Sequence, residues 1–313
     1  MVAKVFIDGE AGTTGLQIRE RLAARRDIEL LSVPEARRKE KAARAELLNA
    51  ADVAILCLPD DAARESVSLI ENDTTRVVDA STAHRVDPAW VYGFAEMAPG
   101  QADAIAKSRR VANPGCYPQG VIATVRPLIE AGLVPADFPF TVSAISGYSG
   151  GGRKMIEAYE ANPDASPFAP YGLTFGHKHL PEMRAYSKMD IDPLFMPSVG
   201  NYAQGMVTMV PLQLGTLDSA TTAKVLHDAI RGWFKPGGFV EVADYAEVDK
   251  LPELDPRTFN GTNGMRLHVF GNNARRQAVL VAVYDNLGKG ASGAAVQNMN
   301  LLLGCDERAS LAA

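Results

Sequence analysis

Up to Asp79 the chain alternates short apolar runs with helical patterns, and this alternation restricts the fold more than any other feature. Lys4–Ile7 is an apolar run that ends in Asp8 and Gly9; Glu29–Val33, Val53–Leu58 and Arg76–Asp79 repeat the pattern, and Pro59 stops the third. Between them, Leu16–Arg25 carries Ile18 and Leu22 one turn apart on one face. Glu40–Asn49 is rich in Ala, Glu, Leu and Arg, and Asp60–Ile70 opens on Asp60, which is expected to be its N-cap. Strands joined through helices pair in parallel, because the return crossover needs a helix-sized connection. The expected fold class is α/β, beginning with a doubly wound, Rossmann-type sheet.

The rhythm changes after Cys116. Residues 118–132 read as a helix kinked at Pro127. Val142–Ser146 reads as a strand that runs into the glycine-rich stretch Gly147–Gly152. Residues 161–182 hold four prolines and little periodicity, as an ordered functional loop does. Val207–Leu214, Phe239–Val242, Arg266–Gly271 and Ala278–Tyr284 read as strands, Thr221–Trp233 as an amphipathic helix and Ala291–Leu303 as a closing helix. These elements predict a second, α+β domain with a mostly antiparallel sheet. A chain of 313 residues is long enough for both.

A net charge of −5 gives no bulk attraction to nucleic acid or to an anionic membrane, so neither is an expected partner and any anionic ligand needs a local site. Three cysteines, Cys57, Cys116 and Cys305, do not make a disulfide framework, and no CxxC pair is present. The first residues lack the basic, apolar and small-residue sections of a signal peptide, and no apolar run approaches the roughly 18 residues of a membrane span. The expected setting is the cytoplasm, with reduced thiols.

Gly9, Gly12 and Gly15, with Thr13 and Thr14 between them, form a GxxGxxG turn from the first strand into the first helix. It is a variant of the GxGxxG dinucleotide fingerprint, in which glycine lets a pyrophosphate approach backbone N–H groups at a helix N-terminus. NAD sites usually place an acid at the end of the second strand, to bond the ribose hydroxyls. Here Ser32 stands there, followed by Arg37, Arg38 and Lys39. Ser32, Arg38 and Lys39 therefore point to the 2′-phosphate of NADP. Against that stand a merely solvated helix start and a ribose role for Glu35.

Cys116 follows the turn Asn113-Pro114-Gly115, and Pro118 suits the first turn of a helix. A thiol at a helix N-terminus is favoured as thiolate, which makes Cys116 the expected nucleophile. Cys57, in an apolar strand, and Cys305, near the tail, read as small hydrophobes. His177, His179 and Glu182 form the densest titratable cluster. No third ligand stands out for a metal, and none is expected; an acid/base pair with Glu182 as the orienting carboxylate fits better. Alternation along an extended segment would put the two imidazoles on opposite faces, with His179 the first candidate and His177 the second. His227 reads as a surface residue of the amphipathic helix.

These residues together resemble the N-acetyl-γ-glutamyl-phosphate reductase family, third in arginine biosynthesis, in its shorter (type 2) form. The resemblance runs over nearly the whole chain. It rests on Gly9–Gly15, residues 78–85 (VDASTAHR), 113–116 (NPGC), 146–150 (SGYSG), 177–182 (HKHLPE), 285–290 (DNLGKG) and 296–300 (VQNMN). One departure is Ala95, where proline is expected.

The resemblance implies a fold similar to aspartate-semialdehyde and glyceraldehyde-phosphate dehydrogenases. Residues 1–116 and 286–313 would form the NADP-binding domain, to which the last helix returns, and 117–285 the catalytic and oligomerisation domain of a homodimer or homotetramer. It also implies an NADPH-dependent reduction of an acyl phosphate through a Cys116 thioester, with release of inorganic phosphate. Ser81 and Asn286 are then candidates for the cofactor, and Asn113, Arg85, Ser149 and Arg153 for the substrate and its anions. The same chemistry on N-acetyl-aminoadipyl or aspartyl phosphate is an alternative. A non-catalytic NADP-binding sensor is another, although it would need neither Cys116 nor the histidine pair.

Overall fold

The structure, a computed structural model, describes residues 2–38, 40–245 and 253–313. Lys39, one of the expected phosphate ligands, lies outside the described residues. The chain forms two compact units: Met1–Ala95, Pro99–Gly115 and Ala291–Ala312 make the first, and Glu96–Ala98 with Cys116–Gly290 make the second, which also takes in Ala313.

In the first unit the order is β1 (Ala3–Asp8), α1 (Thr13–Leu22), β2 (Ile28–Leu31), α2 (Lys41–Ala50), β3 (Val53–Leu56), α3 (Asp60–Ser68), β4 (Arg76–Asp79), β5 (Val91–Tyr92), α4 (Gln101–Lys107) and β6 (Arg110–Ala112). The six strands lie in the order β2-β1-β3-β4-β6-β5, and every pairing is parallel. Successive side chains of a strand point to opposite faces, so a sheet covered on both sides needs apolar residues at every position. Val5 and Ile7 pack with Ile55, Val78 and, from the C-terminal helix Gly293–Leu303, Val296 and Met299. Phe6, Ala54 and Val77 pack on the other face, against Ala43 and Leu48 of α2 and Ala63 of α3. Asp60 does not cap α3. Pro59 takes that position without a side-chain bond, and the Asp60 carboxylate accepts from the Thr82 backbone N–H at 2.9 Å and the Thr82 hydroxyl at 2.6 Å.

The second unit opens with α5 (Cys116–Glu130) and continues through β7 (Thr141–Gly147), α6 (Arg153–Glu160), β8 (Phe168–Pro170), α7 (Leu180–Ser187), β9 (Leu194–Gly200), β10 (Met206–Gln213), α8 (Ala223–Trp233), β11 (Val240–Val242), β12 (Met265–Asn272) and β13 (Gln277–Tyr284). Its seven strands lie in the order β11-β12-β13-β10-β7-β9-β8. Four pairings are antiparallel and two, β11 with β12 and β7 with β9, are parallel, so the sheet is mixed. The parallel β7–β9 pair needs a crossover, and the stretch from α6 to α7 supplies it. Residues 161–182, expected to be a loop, thus contain an edge strand and the start of a helix. His227 is not a surface residue. It is 2% exposed on the packed stripe of α8, and its Nε2 lies 2.8 Å from the Ala243 carbonyl oxygen.

Candidate active site

In the first unit, β1 ends on Asp8 and the chain turns at Gly9, whose φ of +93° lies in the left-handed region that suits glycine. A Cβ on Gly9 would sit 2.3 Å from the Cys57 carbonyl oxygen, and one on Gly15 would sit 2.5 Å from that of Gly9. The two glycines therefore let α1 start tight against the strand ends. Gly12 takes the N-cap with no side-chain acceptor, which leaves the first turn, at Thr13 and Thr14, open to an anion.

A cavity of about 270 Å³ opens beside this turn, lined among others by Gly9, Glu10, Val33, Arg38 and Arg44. It lies at the carboxyl end of β1, where the strand order reverses and open α/β sheets take their ligands. The expected phosphate ligands Ser32 and Arg38 both meet one carboxylate. The Ser32 hydroxyl donates to Glu10 Oε2 at 3.1 Å, and Arg38 Nη2 lies 4.0 Å from Glu10 Oε1. Arg19 pairs with the same carboxylate and donates to Ser32 Oγ at 3.0 Å. A turn with no room for Cβ, an open helix N-terminus and cations beyond β2 fit a dinucleotide.

Ser81 is held differently: its hydroxyl donates to Asp79 Oδ2 at 2.7 Å, and that oxygen also lies 2.7 Å from His84 Nδ1. Asn113 and Arg85 are committed to the turn that leads to Cys116. Arg85 Nε donates to the Asn113 carbonyl at 3.1 Å. The Asn113 amide donates to the Ala291 carbonyl at 3.1 Å and accepts from Asn298 at 3.0 Å.

In the second unit, Cys116 is the first residue of α5 and is partly exposed. Its backbone is clamped by Tyr284, whose hydroxyl donates to the Cys116 carbonyl at 2.6 Å and accepts from the Gly120 N–H at 3.2 Å. That approach requires glycine, since a Cβ on Gly120 would lie 2.3 Å from Thr208 Oγ1. Gly290 lies against the nucleophile in the same manner: its Cβ would sit 3.0 Å from that of Cys116.

The ring of Tyr117, the next residue, stands 6.1 Å from His177 and 5.9 Å from His179. The two imidazoles do not face apart. The segment bends instead of running extended: the His179 N–H donates to His177 Nδ1 at 3.1 Å and the Leu180 N–H to the His177 carbonyl at 3.0 Å. The ring centroids are consequently only 4.7 Å apart. Glu182 is buried, and its Oε1 lies 4.0 Å from His179 Nε2, beyond hydrogen-bond length. Asn286 donates to Ser149 Oγ at 3.0 Å and accepts from the Gly205 N–H at 2.8 Å. Arg153 is not drawn into this group; its side chain is 76% exposed and pairs with Glu157 at 2.9 Å. Sequence reasoning missed Tyr117 and Tyr284, because nothing in a strand or helix pattern marks a hydroxyl that bonds a particular carbonyl.

Burial, helped by Lys178, lowers the His177 pKa to about 4, and burial with Arg266 does the same to His268. Unfolded histidine titrates near 6.5. Between those values the unfolded chain binds protons that the folded chain refuses, so stability should fall as pH drops from about 6.5 to about 4. Urea midpoints measured across that range check this; a flat profile would contradict it.

Among the described residues no group of three His, Cys, Asp or Glu side chains is placed to hold a metal, and no helix is long and apolar enough to cross a membrane.

Residues 4–105 match the family described as semialdehyde dehydrogenase, NAD binding domain, and residues 116–286 the semialdehyde dehydrogenase dimerisation domain. The chain is 67% identical over 307 residues to an N-acetyl-gamma-glutamyl-phosphate reductase of Mesorhizobium japonicum, covering 97% of this chain and 100% of that one. It is 54% identical over 310 residues to that of Brucella ovis, covering 97% and 100%. Among solved structures, aspartate semialdehyde dehydrogenase II of Vibrio cholerae, complexed with ASA, superposes with a TM-score of 0.72 at 16% identity, covering 97% of this chain and 99% of that one. The Candida albicans aspartate semialdehyde dehydrogenase with NADP superposes with a TM-score of 0.70 at 15% identity, covering 96% and 99%. The fold is thus that of the semialdehyde dehydrogenases.

Proposed function

Since this chain belongs to the N-acetyl-gamma-glutamyl-phosphate reductase family of semialdehyde dehydrogenases, we propose that it reduces N-acetyl-γ-glutamyl phosphate to N-acetylglutamate semialdehyde with NADPH and releases inorganic phosphate. The observation that carries this reading is a partly exposed Cys116 at the start of α5, clamped through its backbone by Tyr284.

The Cys116 sulfur forms a bond to the acyl carbon, the bond from that carbon to the phosphate oxygen breaks, and a neutral thioester remains. The hydride would come from NADPH to the thioester carbon, after which the carbon–sulfur bond breaks, releasing the aldehyde and regenerating the Cys116 thiolate. His179 takes the thiol proton and returns it to the oxygen on which charge develops. His177, the second candidate, suits proton storage less well, since burial keeps it neutral down to about pH 4. Glu182, one short movement from His179 Nε2, orients the imidazole. The N–H groups at the start of α5 stabilise the oxyanion.

Ser149, steadied by Asn286, and Arg153, with an exposed fork, receive the substrate's anionic groups. Arg85 and Asn113 hold the turn that precedes Cys116 in the chain. Gly9, Gly12, Thr13, Thr14 and Gly15 cradle the pyrophosphate, Ser32, Arg38 and Lys39 receive the 2′-phosphate, and Ser81 and Asn286 serve the nicotinamide half.

The match to a dimerisation domain supports a homodimer or homotetramer. A partly covered apolar sheet face, with Ile145, Met209, Phe270 and Val279, supports it too. A nucleophile that must stay reduced suits the cytoplasm.

The reverse reaction tests the reading. Protein mixed with N-acetylglutamate semialdehyde, phosphate and NADP should form NADPH in proportion to phosphate. A folded protein that binds NADP but gives no such signal would transfer the assignment to aspartate semialdehyde or the aminoadipate analogue, to be tried next.

A further inference from the structure

Glu10 sits inside the phosphate-binding turn, where a carboxylate is unexpected: the open N-terminus of α1 favours an incoming anion, and a fixed negative charge beside it opposes one. Its side chain is nevertheless only 15% exposed. Two donors from separate elements reach it, Arg19 from α1 and the Ser32 hydroxyl from just beyond β2 at 3.1 Å, and a second guanidinium, Arg38, stands 4.0 Å away and 3.8 Å from Glu35. Arg19 also donates to Ser32 at 3.0 Å, so the donors form one connected set. Two guanidiniums and a hydroxyl around one pair of oxygens are the donors that a phosphate monoester takes. The cavity lined by Glu10 and Arg38 adjoins them.

Building on the NADP reading above, we infer that the Glu10 carboxylate is an internal occupant of the 2′-phosphate subsite, that Arg19 is a ligand of that subsite, and that the cofactor's phosphate must displace Glu10 to bind. Without cofactor, Glu10 neutralises cations that would otherwise repel each other. A doubly charged phosphate outcompetes a singly charged carboxylate for the same donors, whereas the 2′-hydroxyl of NADH has no charge with which to do so. Glu10 therefore opposes the phosphorylated cofactor alone, because NADH leaves the carboxylate in place. Its removal should help NADPH, which is the opposite of what an acid bonding the ribose hydroxyls would do.

The test is equilibrium titration of NADPH and NADH, followed by nicotinamide fluorescence, on wild type, Glu10→Gln and Arg19→Met, with thermal melts to verify folding. Arg19 is exposed and Glu10 partly exposed; Gln keeps the shape of Glu10, and Met keeps the apolar stem of Arg19. Glu10→Gln should tighten NADPH by about 5-fold, the scale of a partly exposed ion-pair network, and leave NADH unchanged. Arg19→Met should weaken NADPH by about 10-fold or more, the scale of a lost charged hydrogen bond, again without effect on NADH. If Glu10→Gln weakens NADH, Glu10 is a ribose acceptor and the inference fails. An unchanged NADPH affinity in either variant overturns it as well. A wild type that does not prefer NADPH would instead sink the NADP reading itself, and the inference with it.

Discussion

Cys116→Ser should lose turnover by about 10⁴-fold or more while NADPH binding and the melting temperature stay close to wild type. Serine differs from cysteine by one atom, so the start of α5 and its clamp by Tyr284 can persist. What is lost is an anion that forms near neutral pH: a thiol titrates around 8.5, whereas an alcohol without a strong base does not ionise in the working range. The thioester intermediate disappears with it. Single-turnover kinetics, a cofactor titration and a melt on the same preparation separate the outcomes. Equal loss of turnover and of NADPH affinity would mean that the variant misfolds or that the nucleophile lies elsewhere.

Cys57 is the internal control. Burial, with the carboxylates of Asp79 and Asp8 adding to it, pushes its thiol up to about 12, so alkylation near neutral pH should spare it and mark Cys116.

The parts legible in the sequence are those where one physical demand acts on a whole segment. A parallel sheet covered on both faces needs consecutive apolar residues, and β1 and β3 display them as Val5-Phe6-Ile7 and Val53–Leu56. A strand-to-helix turn that excludes Cβ needs glycine, and Gly9 and Gly15 announce it. The second sheet was harder to read, because β8 is three residues long with a terminal proline, and nothing periodic marks the crossover that makes β7 and β9 parallel.

Single side chains were harder still. His227 carries a polar label yet lies on the packed stripe of its helix, because the Ala243 carbonyl satisfies its Nε2. Asp60 resembles a cap but turns to Thr82. The histidine pair defeats the alternation argument because a backbone bond from His179 to His177 bends the segment. Tyr284 and Glu10 act through one partner set each, and a partner set distant in sequence leaves no local trace.

The two histidines differ in a way that makes their exchange informative. His179→Asn should slow turnover by about 10²–10⁴-fold, the usual contribution of a positioned acid/base, while His177→Asn should cost considerably less. Both imidazoles border Tyr117, but His177 also packs on Phe195 and Tyr171, so melts on both variants are needed to separate lost packing from lost chemistry. Their proton chemistry differs too. His177 accepts a backbone N–H at Nδ1 and is held neutral down to about pH 4, which suits it to shaping the turn. His179 is buried, with Glu182 Oε1 4.0 Å from its Nε2, a partner that suits orienting the ring that receives the thiol proton. The pH dependence of kcat/KM should therefore change form in His179→Asn, losing the limb that reports the base, and keep its form in His177→Asn. Alkylation of Cys116 at neutral pH gives the same comparison without substrate, and should slow in His179→Asn alone. A His179 variant with near-normal turnover, beside a His177 variant that is nearly inactive, would reverse the assignment and make the backbone bond to His177 Nδ1 part of the proton path.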